Sequence, residues 1–82
     1  MSVVKIYRVG RCKECDHVKM ILEELDIEYE ELDVTKDPYR EEVVKATGCF
    51  SVPQVMVGPR YIGNYTAILA LHKENKLREA LG

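Results

Sequence analysis

The stretch Gly10-Arg11-Cys12-Lys13-Glu14-Cys15 constrains this chain more than any other. It follows a β-branched and aromatic run, Val3-Val4-Lys5-Ile6-Tyr7-Arg8-Val9, and opens a helical pattern that continues to Leu25. The run, bounded by Gly10, predicts a first strand. From Cys15, the apolar positions Val18, Ile21, Leu22 and Leu25 recur on one helical face. Asp16, Lys19, Glu23 and Glu24 fall on the opposite face, and Asp26 ends the pattern. Two cysteines three apart therefore meet a strand-to-helix turn, where their sulfurs can close a small disulfide ring. In a small α/β chain this spacing reads as a dithiol redox motif.

A helix start suits that chemistry. The thiolate is the reactive form of cysteine, and an unperturbed thiol titrates near ~8.5. Unpaired N–H groups and a partial positive charge at a helix N-terminus favour the anion. Cys12 sits where those groups point, so it is assigned as the attacking nucleophile. Cys15, one turn further in, is assigned as the resolving thiol. Arg8, Arg11 and Lys13 favour the Cys12 thiolate, Glu14 and Asp16 oppose it, and the cations are expected to prevail. Cys15 alone would suit a core position, but Cys12, between Arg11 and Lys13, would not.

The remaining elements follow in order. Residues 27–34 predict a second strand. Asp37-Pro38 predicts the start of a second helix, with Asp37 as cap, Tyr39, Val43, Val44 and Thr47 facing inward, and Gly48 as its stop. Gln54-Val55-Met56-Val57 predicts a third strand, Gly58-Pro59 a turn, and Arg60-Tyr61-Ile62 a short fourth strand. Gly63-Asn64 then breaks the chain, Thr66 caps a third helix around Ile68, Leu69, Leu71 and His72, and Asn75 interrupts it. Residues 76–81 supply a last helical turn with Leu77 and Leu81 inward. The order is β-α-β-α-β-β-α, with one parallel crossover pair and one antiparallel hairpin in a mixed sheet.

Composition narrows the class. Eighty-two residues support one domain, expected over 1–82, and 46% hydrophobic with 32% charged residues is the balance of a globular chain. A net charge of −2, with both signs interleaved, gives no footprint for nucleic acid or an anionic membrane. Met1-Ser2 runs straight into the first strand, and no apolar run approaches membrane-spanning length. A cytoplasmic monomer is expected. Three cysteines is an odd count, unlike a secreted disulfide scaffold, and points to catalysis, redox sensing or metal.

Pro53 reads, on the residues alone, as a strand-opening proline. The alternative is a cis peptide after Val52, which would turn the Val52 backbone toward an extended peptide lying beside the cysteines.

Taken in order, Lys5-Ile6-Tyr7, Cys12-Lys13-Glu14-Cys15, Ser51-Val52-Pro53-Gln54 and Ile62-Gly63 closely resemble the glutaredoxin family over nearly the whole chain. The resemblance implies an α/β, thioredoxin-like fold with a four-stranded mixed sheet flanked by helices, and a cis Pro53. It also implies reduction of protein disulfides and glutathione mixed disulfides, with glutathione as electron donor and co-substrate. The implied substrate and glutathione contacts are Arg8, Arg11, Lys13, Arg40, Val52, Pro53, Asn64, Tyr65 and Thr66. Arg40 falls where the family often has a base that meets the glycine carboxylate.

The chain departs from the family at three places. Val9 replaces a lysine often found shortly before the first cysteine, with Arg8 or Arg11 able to substitute in charge. Lys13-Glu14 replaces the usual Pro-Tyr, and Gly63-Asn64-Tyr65-Thr66 replaces the Gly-Gly-x-Asp segment that holds the γ-glutamyl end. Losing the second glycine hinders backbone approach, and losing the acid removes a partner for the glutathione ammonium group. A related redoxin group takes electrons from thioredoxin reductase, so the donor stays open between glutathione and such a flavoprotein. Some glutaredoxins hold an iron–sulfur cluster between two subunits, which is a second reading. Within this chain neither a metal site nor a tightly bound cofactor is expected, because Cys12, Cys15 and Cys49 fall short of the four ligands of a closed zinc site.

Three further residues invite a role. Cys49 is read as a small, partly buried residue, against glutathionylation, disulfide formation or metal ligation. His17 is read as a solvated surface histidine, and His72 as structural or exposed. Tyr65 is read as packing rather than contacting substrate, and Glu28 to Glu31 as a solvated acidic edge.

Overall fold

Strand β1 (Val4–Arg8) organises the molecule, because it is paired on both sides and buries Val4 and Ile6 on one face and Tyr7 on the other. The computed structural model describes residues 3–48 and 52–82; Cys49 and Ser51 lie outside the described residues. The other elements are α1 (Lys13–Glu24), β2 (Tyr29–Asp33), α2 (Tyr39–Thr47), β3 (Gln54–Val57), β4 (Arg60–Asn64), α3 (Tyr65–Lys73) and α4 (Leu77–Leu81). The sheet order is β2-β1-β3-β4. β1 runs parallel to β2 and antiparallel to β3, and β4 returns antiparallel to β3. This is the mixed four-stranded sheet flanked by helices that the element order predicts.

The pleat sends alternate side chains to opposite faces. Val4, Ile6, Val55 and Val57 join Val18, Ile21, Leu22, Ile68, Leu77 and Leu81 in one apolar cluster beneath α1, α3 and α4. Tyr7 and Met56 point the other way and meet Leu32, Val34 and Val43 beneath α2. All four β3 residues are buried, as expected of an inner strand covered on both faces. Fully burying a side chain such as Ile6 or Leu22 stabilises by roughly 1.5–3 kcal/mol. Among the described residues no helix is long and apolar enough to cross a membrane.

The helix ends show local causes. At the C-terminus of α1, Asp26 adopts φ 58°, its N–H reaches the Glu23 carbonyl and the Ile27 N–H reaches Leu22. α3 ends the same way, with Asn75 at φ 58° and the Lys76 N–H on Leu71. Both are Schellman caps, built here on aspartate and asparagine instead of glycine. Gly48 ends α2 at φ 75°, as its sequence position predicts.

Several boundaries differ from expectation. β2 is shorter than the predicted 27–34, and the last helical turn is a separate helix, α4. α2 begins at Tyr39 with Pro38 in the capping position and no side-chain cap, so Asp37 lies outside the helix it was expected to cap. Val44 is 41% exposed, whereas its neighbour Val43 is fully buried. Gly63 and Asn64 do not break the chain; they complete β4. Val55 pairs with Gly63 and Met56 with Tyr61, leaving Ile62 as the extra residue of a β-bulge.

Gly63 serves close packing here. A Cβ at this position would collide with the Ala67 Cβ in the first turn of α3. Gly63→Ala should therefore cost about 1–3 kcal/mol, the range for overpacking a filled site. Urea unfolding will measure the loss, and adding Ala67→Gly should recover part of it.

Candidate redox site

Pairing register carries several distant segments to one end of the sheet. Tyr7 on β1 faces Gln54 on β3, and Gln54 faces Asn64 on β4. Arg8 faces Asp33 at the end of β2. The segments continuing from these residues are Val9-Gly10-Arg11-Cys12, Val52-Pro53, Tyr65-Thr66 and the turn leading to Tyr39-Arg40. Residues that the sequence scatters from position 8 to position 66 thus share one rim.

Cys12 is the N-cap of α1, with φ −120° and ψ 105°, and its Sγ accepts the Cys15 backbone N–H at 3.1 Å. Its carbonyl accepts the Asp16 N–H at 3.0 Å. Cys12 is partly exposed, whereas Cys15 is completely buried on the inner face of the helix. The two are joined as a disulfide, with Cα atoms 5.2 Å apart, inside the normal range for such a bridge. A sulfur at an N-cap does what an aspartate or serine oxygen does there, satisfying an otherwise unpartnered N–H. The expected contrast between an accessible first cysteine and a sheltered second one is present.

Charges at the rim are sorted by pairing. Arg8 Nε lies 3.3 Å from Glu31 Oε1, and Lys19 Nζ lies 3.0 Å from the same oxygen and 3.6 Å from Asp16 Oδ1. The Glu31 hydrogen bond holds the Lys19 pKa above its ordinary value. Arg8 is therefore committed to β2, and Glu31 is an ion-pair centre, not merely a solvated edge. Such half-exposed pairs contribute about 0–1 kcal/mol each. Asp33 accepts both the hydroxyl and the backbone N–H of Thr35, and these bonds hold its carboxyl below the usual aspartate range.

On the other flank, Val52–Pro53 is a cis peptide. Pro53 is buried, and Val52 packs against the cluster beneath α2. Gln54, 1% exposed, accepts the Tyr61 hydroxyl at 2.6 Å. Arg40 is exposed in the first turn of α2.

The third helix begins differently from expectation. Asn64, not Thr66, is the N-cap: its side-chain oxygen accepts the Ala67 N–H at 3.1 Å. Because β4 passes directly into α3, Thr66 is already the second helical residue and sits too far in to cap. Tyr65, partly buried against the α1/α3 cluster, lies with its hydroxyl 2.7 Å from His17 Nδ1. The two rings are 5.7 Å apart and tilted by 58°. His17 is exposed as expected, yet it ties the helix bearing the cysteines to the start of α3. Nothing local signals a pair 48 residues apart. Among the described residues no group of three or more His, Cys, Asp or Glu is placed to hold a metal ion.

Tyr65→Phe removes the hydroxyl and keeps the packed ring. It should lower stability by about 0.5–1 kcal/mol, the lower part of the range for one hydrogen bond, since the contact is exposed. Chemical denaturation will measure this, and the same substitution in a His17→Ala background should cost much less if the contact is the cause.

Comparison with known proteins agrees with this architecture. A family model described as Glutaredoxin matches residues 4–62. The chain is 27% identical over 84 residues to Glutaredoxin 1 of Rickettsia conorii, covering 99% of this chain and 82% of that protein. It is 31% identical over 72 residues to Glutaredoxin 3 of Escherichia coli K12, covering 87% of each. A crystal structure of the buckwheat glutaredoxin–glutathione complex has a TM-score of 0.82, covering 98% of this chain and 76% of that one. At 21% identity, this is a likeness of fold.

Proposed function

The chain belongs to the glutaredoxin family and is a thiol–disulfide oxidoreductase, and from that premise we propose that Cys12 attacks substrate disulfides and Cys15 resolves the product. The observation that carries this reading is the asymmetry of the bridged pair: Cys12 partly exposed at the N-cap, Cys15 fully buried one turn in. The disulfide is the oxidised end of the cycle.

From the reduced dithiol, the Cys12 thiolate attacks one sulfur of the substrate disulfide. A Cys12–substrate mixed disulfide forms, and the other substrate sulfur leaves as a thiolate that takes up a proton. The Cys15 thiol gives up its proton and attacks Cys12 Sγ, expelling the second substrate thiolate. The ring closes, and two electrons have passed from protein to substrate. The Cys15 N–H that meets Cys12 Sγ, together with the helix N-terminus, favours the negative charge on Cys12 before attack. Two reducing equivalents from a thiol pair or a flavoprotein reopen the ring.

Replacing Cys12 with serine should reduce disulfide turnover to background, since no thiolate remains to attack. Cys15→Ser should accumulate a mixed disulfide on Cys12, visible as a mass adduct. Full turnover in Cys12→Ser, or no adduct in Cys15→Ser while Cys12→Ser accumulates one on Cys15, would contradict the assignment.

Glutathione is read as the poorer of two donor classes. Three features support this: Asn64 places its own oxygen on the α3 N-terminus, Thr66 stands where the family has an acid, and Lys13-Glu14 replaces Pro-Tyr. Oxidised protein should be reduced more efficiently by NADPH with thioredoxin reductase than by glutathione with glutathione reductase. Asn64→Gly combined with Thr66→Asp should raise the glutathione-supported rate. A glutathione rate in the unaltered protein equal to or above the flavoprotein rate would rule out this ordering.

A further inference from the structure

We propose that Arg11 and Lys13 are specificity-determining residues that direct Cys12 to protein disulfides flanked by acidic side chains. The inference rests on the exchange chemistry proposed above and names its substrate class. Arg8, Lys19, Glu31 and Asp16 close on one another along α1 and β2, and Asp33 is turned into its own loop by Thr35. Arg11, Lys13 and Glu14 are exposed and, among the described residues, have no hydrogen-bond or ion-pair partner through their side chains. Two cations and one anion therefore stand unneutralised beside the reactive sulfur, in a chain whose net charge is −2. Across the rim, Val52, Pro53, Asn64, Tyr65 and Thr66 carry no formal charge.

Both cations occupy positions that the local fold disfavours. Arg11 adopts φ 53°, a left-handed conformation that glycine reaches without steric penalty and other L-residues do not. Lys13 is the first residue of α1, where a positive charge opposes the helix dipole. Neither side chain is buried or, among the described residues, makes an ion pair in return. Local rules broken side by side mark functional positions. The two residues bracket Cys12, the atom at which substrate must arrive.

Exposed charges of this kind act mainly on encounter. They raise association with a partner of opposite sign, repel one of like sign, and lose their effect as salt screens them. Carboxylates beside a substrate disulfide would meet Arg11 and Lys13 as its sulfur reaches Cys12. Lysines there would be repelled. Glutathione disulfide shares the anionic character without a folded or peptide context and is the other source of that chemistry.

The test uses pre-reduced protein freed of reductant, with single-turnover exchange rates followed by stopped flow, so the electron donor plays no part. Its substrates are a peptide disulfide flanked by glutamates, the same peptide with glutamines, the same with lysines, and glutathione disulfide. The expected order is glutamate, glutamine, lysine. The glutamate-to-lysine ratio should be about tenfold or more at about 0.01 M salt and fall below about twofold at about 1 M, where the screening length shrinks from ~30 Å to ~3 Å.

Arg11→Gly and Lys13→Gln should each lower that ratio, with no fall in melting temperature because neither side chain serves the fold; Lys13→Glu should invert the preference. A role confined to favouring the Cys12 thiolate would change all four rates by one factor and leave the ratio intact, which would overturn the proposal. Equal rates for the three peptides would also overturn it, as would a lower melting temperature for Arg11→Gly. Glutathione disulfide reacting as fast as the glutamate peptide would overturn the assignment to protein substrates. No exchange with any of the four would overturn the exchange reading itself.

Discussion

Strand β1 is hydrogen-bonded to β2 on one side and β3 on the other, and this double pairing decides which strand ends meet at the rim. Because Tyr7 faces Gln54 and Gln54 faces Asn64, the strand ends line up on one edge. A slip of one residue would exchange the two faces of β1 and send Ile6 away from the cluster beneath α1 and α3. The register that fills the core is thus the register that assembles the rim. Stability and function are joined at this point.

On that frame, the first turn of α1 combines two demands. Cys15 belongs to the buried stripe with Val18, Ile21 and Leu22, so its position is dictated by packing. Cys12 is placed by capping, its sulfur bonded to the Cys15 N–H. One helix end therefore presents a sheltered sulfur and an accessible one within bonding distance, by ordinary helix geometry. Glycine at position 63 does comparable work on the far side, letting β4 run straight into α3 at close range.

Electrostatics divide along the same lines. Glu31 gathers Arg8 and Lys19 along the β2 side, a network that crosses from strand to helix. Among the described residues, Arg11, Lys13 and Glu14 next to Cys12 stay outside that network. The sequence lists Arg8, Arg11 and Lys13 as equivalent cations, but tertiary pairing removes Arg8 from that set. His17 and Tyr65 show the converse, two side chains with separate local readings joined by the approach of α1 and α3.

Much was legible in one dimension because its causes are local. The β-branched run before Gly10, the apolar stripe from Cys15 to Leu25, the glycine at 48 and the leucines at 77 and 81 each act within one or two turns of chain. Cys12-x-x-Cys15 belongs with them, since a spacing of three on a helix start implies both proximity and unequal exposure. The differences share the opposite cause. Glycine and asparagine favour turns, yet the ladder with β3 and the closeness of Ala67 keep Gly63 in a strand. That same extension hands the cap of α3 to Asn64 in place of Thr66. By itself, then, the sequence determined the elements, the dithiol and its helix-start chemistry, all consequences of short-range periodicity and capping. Only the tertiary structure decided which charges are spent, which residue caps α3 and what His17 touches, because those outcomes depend on which surfaces the sheet brings together.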